Sequence, residues 1–180
     1  TYPIKSESTC TPITMDSADG ARIYRRSVIF LLEIAFSQIF PDGYLNIDHS
    51  VSSGGFYCEV KGRVALSQAE LDTLEKQMRK LVAEDHAFER REVPIQEAVD
   101  YFTQRGQEDK LRLLKYRRKE YLTLYAFNGL MDYMHGYMTP STGYLKWFAL
   151  KKVNGGFILQ YPRRNAPTTL EPLGDYPKLI

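Results

Sequence analysis

The segment from Asp19 to Phe40 constrains the fold most, because it is apolar on nearly every side. A surface helix carries one apolar stripe, whereas a helix that is apolar all round is buried. Glu33 and Gln38 interrupt the apolar run, which is shorter than the roughly 20 residues that span a bilayer. The pattern therefore predicts a long helix at the centre of the fold and no membrane partner.

The rest of the sequence predicts an α+β fold with a mostly antiparallel sheet packed on this helix. Helical and strand patterns are interspersed without regular βαβ alternation. Ser67-Gln68-Ala69-Glu70 is a capping box that opens a second helix, and Pro94 suits the first position of a third. Further helices are predicted over Ile95–Arg105 and Asp109–Leu114. The predicted strands are Thr11–Met15, Tyr44–Asp48, Gly55–Lys61, His86–Val93, Tyr121–Phe127, Tyr144–Val153 and Gly156–Gln160.

The chain divides into three parts. Residues 1–16 have the character of a remnant of an upstream domain, and residues 17–160 form the body. Prolines at 162, 167, 172 and 177 forbid a long helix or a central strand in residues 161–180. This tail is predicted to be an extended linker or a strap across the surface.

Charge and cysteine content exclude some classes of protein. With 24 basic and 22 acidic residues the net charge is +2, which argues against a dedicated nucleic-acid binder but allows a local basic patch. Cys10 and Cys58 form no disulfide or zinc framework, so free thiols in a reducing cytosol are expected.

Motifs for phosphate and metal chemistry are missing from the sequence. It contains no G-x-x-x-x-G-K-[S/T], G-x-G-x-x-G, H-E-x-x-H or C-x-x-C. Two alternatives stay open: a zinc site from His49, Cys58 and His135, and a triad from Asp48-His49-Ser50. The triad is disfavoured because neighbours on a strand point to opposite faces.

A basic cluster follows the fourth helical pattern. Lys115, Arg117, Arg118 and Lys119 are flanked by tyrosines, which suits a single-stranded nucleic acid. Acidic neighbours such as Glu120 are equally typical of a solvated surface. These four residues are candidate RNA contacts.

Within residues 131–148, Met134 and Met138 stand at a spacing of four. A thioether does not ionise and is a poor zinc ligand. A site built on this segment therefore lacks groups for acid–base or metal chemistry.

The body, from Asp19 to Gln160, resembles the second N-terminal domain of threonyl-tRNA synthetase, a relative of alanyl-tRNA editing domains. The resemblance rests mainly on Gly55-Phe56-Tyr57 and on Asp132-x-x-x-Gly136-x-x-x-Pro140. It implies an editing site with His-x-x-x-His on the first helix and Cys-x-x-x-His near the end. Arg26 and Phe30 stand at the first pair, and Met134 and Met138 at the second. The resemblance thus implies the fold, whereas the residues deny hydrolysis of mischarged tRNA.

Three further stretches resemble the N-terminal region of bacterial uridine kinase-like proteins of the phosphoribulokinase/uridine kinase family. They are His49-Ser50, Tyr57-Cys58-Glu59 and residues 135–146, His-Gly-Tyr-Met-Thr-Pro-Ser-Thr-Gly-Tyr-Leu-Lys. In that family a small TGS domain and a synthetase-like domain precede a P-loop kinase. The resemblance implies both domains as partners in the same chain, ATP and Mg for the kinase domain, and no cofactor in this segment.

Three hypotheses of function follow. The first is a non-catalytic accessory domain of a nucleoside kinase, which senses a small-molecule ligand. The second is an RNA-binding module that lost editing, and the third is an enzyme rebuilt around His49, Cys58 and His135. The predicted pocket consists of Arg26, Phe30, His49, Tyr57, Cys58, Met134, His135, Tyr137 and Met138.

Overall fold

Helices and antiparallel strands are mixed along the chain in the computed structural model, which describes residues 5–52 and 54–172. The α+β class is confirmed. The helices are α1 (Ala18–Ile39), α2 (Gln68–Glu84), α3 (Ile95–Gln104) and α4 (Glu108–Lys115), with a 3₁₀ turn at Thr142–Tyr144. The strands are β1 (Tyr44–Val51), β2 (Gly55–Lys61), β3 (Glu89–Pro94), β4 (Tyr121–Phe127), β5 (Leu130–Asp132), β6 (Ala149–Val153) and β7 (Gly156–Gln160).

The strands form two antiparallel sheets. The larger sheet has the order β1-β2-β7-β6, and the smaller has the order β3-β4-β5. Strands β2 and β7 are therefore the central strands of the larger sheet, where Cys58 lies opposite Phe157. Strand β7, the last of the body, thus pairs with β2, one of the first, so the two ends of the body meet in one sheet.

The main core lies between α1, α2 and the larger sheet. Val28, Phe30 and Leu31 of α1 are fully buried, and Leu74 and Met78 of α2 pack in the same cluster. Burying one large apolar side chain stabilises a fold by about 1.5–3 kcal/mol. The all-round apolar character of α1 is therefore satisfied inside the protein. Within residues 5–52 and 54–172, no helix is long and apolar enough to cross a membrane.

A second, smaller core joins α3 and α4 to the smaller sheet. Phe102 of α3 and Leu114 of α4 pack against Leu122 and Leu124 of β4. Alternate residues of β4 face the two sides of the sheet, so this strand supplies both a wall of the second core and the tyrosine Tyr125 of the main core.

One predicted helix start is confirmed by its hydrogen bonds, and a second is shifted by one residue. Ser67 and Glu70 form the complete capping box at the start of α2. Pro94 precedes α3 as its N-cap rather than as its first helical residue. This position costs nothing, because proline has no backbone N–H to leave unpaired at a helix start.

The predicted strand Tyr144–Val153 is only partly correct. The strand begins at Ala149, and the residues before it form the 3₁₀ turn and an irregular segment. The Tyr24 hydroxyl takes the place of a neighbouring strand: it donates to the Trp147 carbonyl and accepts from the Trp147 N–H, both at 2.8 Å. A side chain from α1 thus satisfies backbone groups that a ladder would otherwise pair.

The predicted strand at His86–Val93 begins late, at Glu89. His86 N–H donates to Thr142 Oγ1, and Phe88 N–H donates to the Pro140 carbonyl at 3.0 Å. These groups pair with the loop at 140–142 instead of with β4. The prediction of a strand at Thr11–Met15 was wrong, because those residues have no strand pairing.

Strand β5 was missed, although the sequence carries a signal for it. Asn128 (φ 45°) and Gly129 (φ 82°) both adopt the left-handed region between β4 and β5. Asn-Gly is the preferred pair for a two-residue hairpin turn of this kind. Strand β5 ends at Asp132, which is buried.

The described part of the tail, residues 161–172, has no regular secondary structure and lies against the larger sheet. Tyr161 packs its ring 5.5 Å from the ring of Phe56 on β2. Arg163 pairs with Glu171 at 3.2 Å and also donates to the Ser52 carbonyl. Residues 1–4 and 173–180, which belong to the predicted remnant and tail, lie outside the described residues.

Replacing Ser27 with alanine should destabilise the fold by about 1–3 kcal/mol, because Thr139 N–H would lose its acceptor in a buried place. Ser27 Oγ accepts that N–H at 2.8 Å and is itself fully buried. Urea denaturation measures the change. Ser37→Ala is the matched control, since Ser37 only donates to Ile34 within α1 and should cost less than about 0.5 kcal/mol. Equal losses in the two variants would contradict this assignment.

Candidate functional site

The segment from Met134 to Phe148 crosses α1 and is tied to it by hydrogen bonds. Arg26 Nη1 donates to the Tyr137 carbonyl at 2.6 Å, and Thr139 N–H donates to Ser27. Gly136 lies against the Arg26 guanidinium, where a Cβ would come within 2.6 Å of Nη1, and its φ of 124° also favours glycine. These contacts therefore hold the predicted site residues of α1 against those of the segment from Met134 to Phe148.

The four positions that the resemblance assigns to the editing site hold side chains that pack within the fold. Phe30 is fully buried, with its ring 5.6 Å from that of Phe88. Met138 is buried, and Met134 packs against the main core from its edge. The Arg26 guanidinium is held by a backbone carbonyl. None of these groups can act as a nucleophile or a general base at neutral pH.

Strand β2 separates two other predicted pocket residues. Tyr57 faces outward, where its ring stacks on that of His49 at 5.3 Å. Cys58 faces inward, is fully buried, and belongs to the main core. Burial raises the pKa of the Cys58 thiol to about 12, so almost none of it is thiolate at neutral pH and it is inert.

Asp48 and His49 lie closer together than a regular strand allows. The register of β1 against β2 shifts between Ile47 and Ser50, and His49 Nδ1 lies 2.9 Å from Asp48 Oδ2. The expectation that these neighbours point apart was wrong, because a bulge re-aims side chains. The pair is half-exposed, and the hydrogen bonds found in the described residues join no serine to it.

His135 and Tyr137 lie on the exposed side of the crossing segment. His135 contacts Tyr133 edge-on, with 4.5 Å between the ring centres, whereas His49 stacks on Tyr57. His49, Cys58 and His135 thus have separate surroundings. In residues 5–52 and 54–172, no group of three or more His, Cys, Asp or Glu side chains is placed to hold a metal ion.

A cleft of about 270 Å³ opens beside the crossing segment. Arg117 and Arg90 line it, each near a tyrosine ring: Arg117 lies 5.5 Å from the centre of Tyr133, and Arg90 lies 5.7 Å from that of Tyr137. Arg117 Nη1 also donates to the Tyr133 hydroxyl at 3.1 Å. Two guanidinium groups between aromatic rings suit an anionic ligand with flat groups.

One of the four predicted RNA contacts lies in this cleft, and the other three lie outside it. Arg117 lines the cleft, whereas Lys115, Arg118 and Lys119 are exposed residues around the end of α4. Arg90 was missed as a partner of Arg117. Arg90 lies on β3 and Arg117 lies in the connection between α4 and β4, so the two arginines reach one cleft only in the folded chain.

Two carboxyl groups, Glu33 of α1 and Asp132 of β5, lie near each other, and the sequence analysis did not assign them to a site. Asp132 at the end of β5 is buried and forms an ion pair with Lys110 of α4. Glu33 of α1 faces this pair. Burial raises the pKa of Glu33 well above its usual range, and the neighbouring Asp132 raises it further.

The surroundings of Glu33 favour its neutral form. Glu33 Oε2 is inaccessible and has no hydrogen-bond partner among the described residues. Burial and the neighbouring Asp132 carboxylate, which pairs with Lys110, both favour the protonated form of Glu33, with its raised pKa. The signal for this group of residues in the sequence was Glu33, an acidic residue within the apolar run of α1.

Comparison with known proteins agrees with the fold. The chain is 34% identical over 157 residues to a threonine–tRNA ligase of Acidovorax sp. (strain JS42), and 30% identical over 158 residues to that of Anaplasma marginale (strain Florida). It is 29% identical over 157 residues to threonine–tRNA ligase 2 of Bacillus subtilis (strain 168). Each match covers 87% of this chain.

The chain spans about a quarter of the length of these relatives, with 24–25% of each covered. No model of a protein family matches the sequence. The similarity therefore defines a threonyl-tRNA synthetase-like domain and does not extend to the whole ligase.

Replacing Glu33 with glutamine should raise stability relative to the wild type as pH increases. The folded state holds a proton on Glu33 that the unfolded chain releases near its usual pKa, so the wild type loses stability as pH rises above that value. The slope is at most about 1.4 kcal/mol per pH unit. Urea denaturation of both proteins from about pH 5 to about pH 9 tests this. A difference that stays constant with pH would show that Glu33 is ionised in the folded protein.

Proposed function

We propose that this segment is a non-catalytic accessory domain with a degenerate tRNA-editing site. The observation that carries the proposal is the packing of Arg26, Phe30, Met134 and Met138 at the four matched positions. Hydrolysis at such a site needs a group that activates water or attacks the ester. These four side chains offer a guanidinium held by a carbonyl, a phenyl ring and two thioethers.

The proposed role of the domain is regulatory, through binding of a ligand. We place it in a uridine kinase-like protein, with a TGS domain before it and a P-loop kinase domain after it. The support is the resemblance at His49-Ser50, Tyr57-Cys58-Glu59 and residues 135–146. In that arrangement ATP and Mg²⁺ belong to the kinase domain.

The domain should release no amino acid from mischarged threonine tRNA beyond the rate in buffer, because no group at the matched positions can activate water. The assay follows release of the labelled amino acid over time, with an editing-competent threonyl-tRNA synthetase as the positive control. Release that scales with the concentration of this domain would overturn the proposal.

The kinase context needs a separate experiment. Reading the gene beyond codon 180 should reveal a G-x-x-x-x-G-K-[S/T] motif, and the full protein should then transfer phosphate from ATP to uridine. A stop codon, or sequence of a class II synthetase, would exclude the kinase and leave the first part of the proposal standing.

A second candidate function is RNA binding, which the cleft of Arg90, Arg117, Tyr133 and Tyr137 favours. Single-stranded RNA offers phosphates for guanidinium groups and bases that stack on tyrosines.

Replacing Arg90 with glutamate should weaken binding of a single-stranded RNA about tenfold and lower the salt dependence by about one charge. Arg91→Glu is the control, because it makes the same change of charge on the opposite face of β3, where Arg91 contacts Glu89. Fluorescence anisotropy at several salt concentrations measures both. Equal losses in the two variants, or no binding by the wild type, would exclude this function.

A further inference from the structure

Four arginines line one open groove at the end of the fold where α1 begins. The groove has a volume of about 430 Å³, and its walls are the first turns of α1, the β1–β2 turn and the tail after β7. Its arginines are Arg22 and Arg25 of α1 and Arg163 and Arg164 of the tail. It shares no lining residue with the Arg90–Arg117 cleft, so it is a separate site, independent of the proposed RNA binding.

The groove carries an excess of positive charge. No acidic side chain is among the described residues that line it. Two carboxylates outside the lining reach its arginines: Asp19 pairs with Arg22 at 2.9 Å, and Glu171 pairs with Arg163 at 3.2 Å. Four guanidinium groups against two carboxylates leave two positive charges uncompensated among these six groups. The groove therefore attracts an anion with more than one negative charge.

Helix α1 presents two of the arginines on one side. Arg22 and Arg25 are three residues apart, so they are neighbours on the helix surface. Ala18 and Ala21 lie beside them in the lining, and Ala18 is exposed. These small side chains let a ligand approach the first turns of α1, where the positive end of the helix dipole adds to the attraction of an anion.

The tail supplies the other two arginines and is held against the β1–β2 turn. Arg163 donates to the Ser52 carbonyl. Gly54 in this turn has a φ of 87°, and a Cβ at this position would lie 3.3 Å from Arg163 Cγ. Glycine thus permits both the turn and the close approach of the tail. These contacts place Arg163 and Arg164 on the groove that α1 lines from the other side.

The lining of the groove favours a compact phosphate ligand over an RNA strand or a membrane. Arginine binds phosphate oxygens through paired N–H donors, and a volume of about 430 Å³ is within the range of small-molecule sites. Single-stranded RNA also needs aromatic rings on which bases stack, but the aromatic residue of the lining, Tyr161, is half-buried against Phe56. Membrane binding needs apolar side chains beside the charges, and no large exposed apolar residue is among the described residues of the lining.

We propose that this groove binds two or three linked phosphates, the group shared by inorganic pyrophosphate and tripolyphosphate and by nucleoside di- and triphosphates. Arg25 and Arg164 have no carboxylate partner in the part of the chain that the structure describes, and they donate to the phosphate oxygens. Glu171 competes with the ligand for Arg163, because a carboxylate and a phosphate accept from the same guanidinium N–H groups.

Isothermal titration calorimetry of the 180-residue chain with tripolyphosphate tests the proposal. Arg164→Gln should weaken binding about tenfold at an unchanged melting temperature, because Arg164 is exposed. Arg112→Gln is the matched control, since it removes the same charge from an exposed position of α4, and it should leave binding nearly unchanged. Glu171→Gln should tighten binding about threefold, as expected for release from an exposed ion pair. Its backbone carbonyl still accepts from Gln160, so the tail stays in place.

Titrations with ATP and with UTP, both without Mg²⁺, distinguish the sources of the phosphates. Affinities like that of tripolyphosphate assign recognition to the phosphate chain, and tighter binding of a nucleotide assigns the groove to nucleotides. Binding of tripolyphosphate alone assigns it to inorganic polyphosphate.

Three results would overturn the proposal. The first is that none of these compounds binds at millimolar concentration in low salt. The second is that Arg164→Gln binds tripolyphosphate like the wild type, or that Arg112→Gln loses as much affinity as Arg164→Gln. The third is that a short single-stranded RNA binds, is weakened by Arg164→Gln and is not displaced by tripolyphosphate, which would assign the groove to RNA.

Discussion

The hydroxyl of Ser27 is the contact on which the site depends most. It lies in the middle of an apolar helix and accepts the N–H of Thr139, more than a hundred residues later in the chain. Together with the Tyr24 hydroxyl, which holds both backbone groups of Trp147, it fixes an irregular segment across α1. Buried backbone groups need partners, so two side-chain hydroxyls replace the strand that this segment lacks.

This crossing belongs to the fold of a threonyl-tRNA synthetase-like domain. Hydrogen bonds between the side chains of Arg26 and Ser27 and the backbone of the crossing segment hold α1 and that segment together. Phe30 and Met138 then fill the space and add to the main core.

Apart from the arginine groove at the start of α1, polar side chains line two places in the domain. One is the cleft of Arg90 and Arg117, and the other is the cavity of Glu33, Asp132 and Lys110. The cleft is lined by two guanidinium groups, which attract phosphates. The cavity holds the ion pair of Asp132 and Lys110.

Strong local signals predicted much of the fold. The all-round apolar helix, the Ser67 capping box and the strands Gly55–Lys61, Tyr121–Phe127 and Gly156–Gln160 follow from periodicity and caps. Strand boundaries near His86 and Tyr144 could not be predicted, because loops and the Tyr24 hydroxyl took over their hydrogen bonds. That Arg26, Phe30, Met134 and Met138 offer no nucleophile or general base at neutral pH was also readable from the sequence, since residue identity settles it. Which polar groups meet was decided by tertiary structure: Arg90 with Arg117, and Glu33 with Asp132 and Lys110, are far apart in sequence and come together only through strand pairing and helix packing.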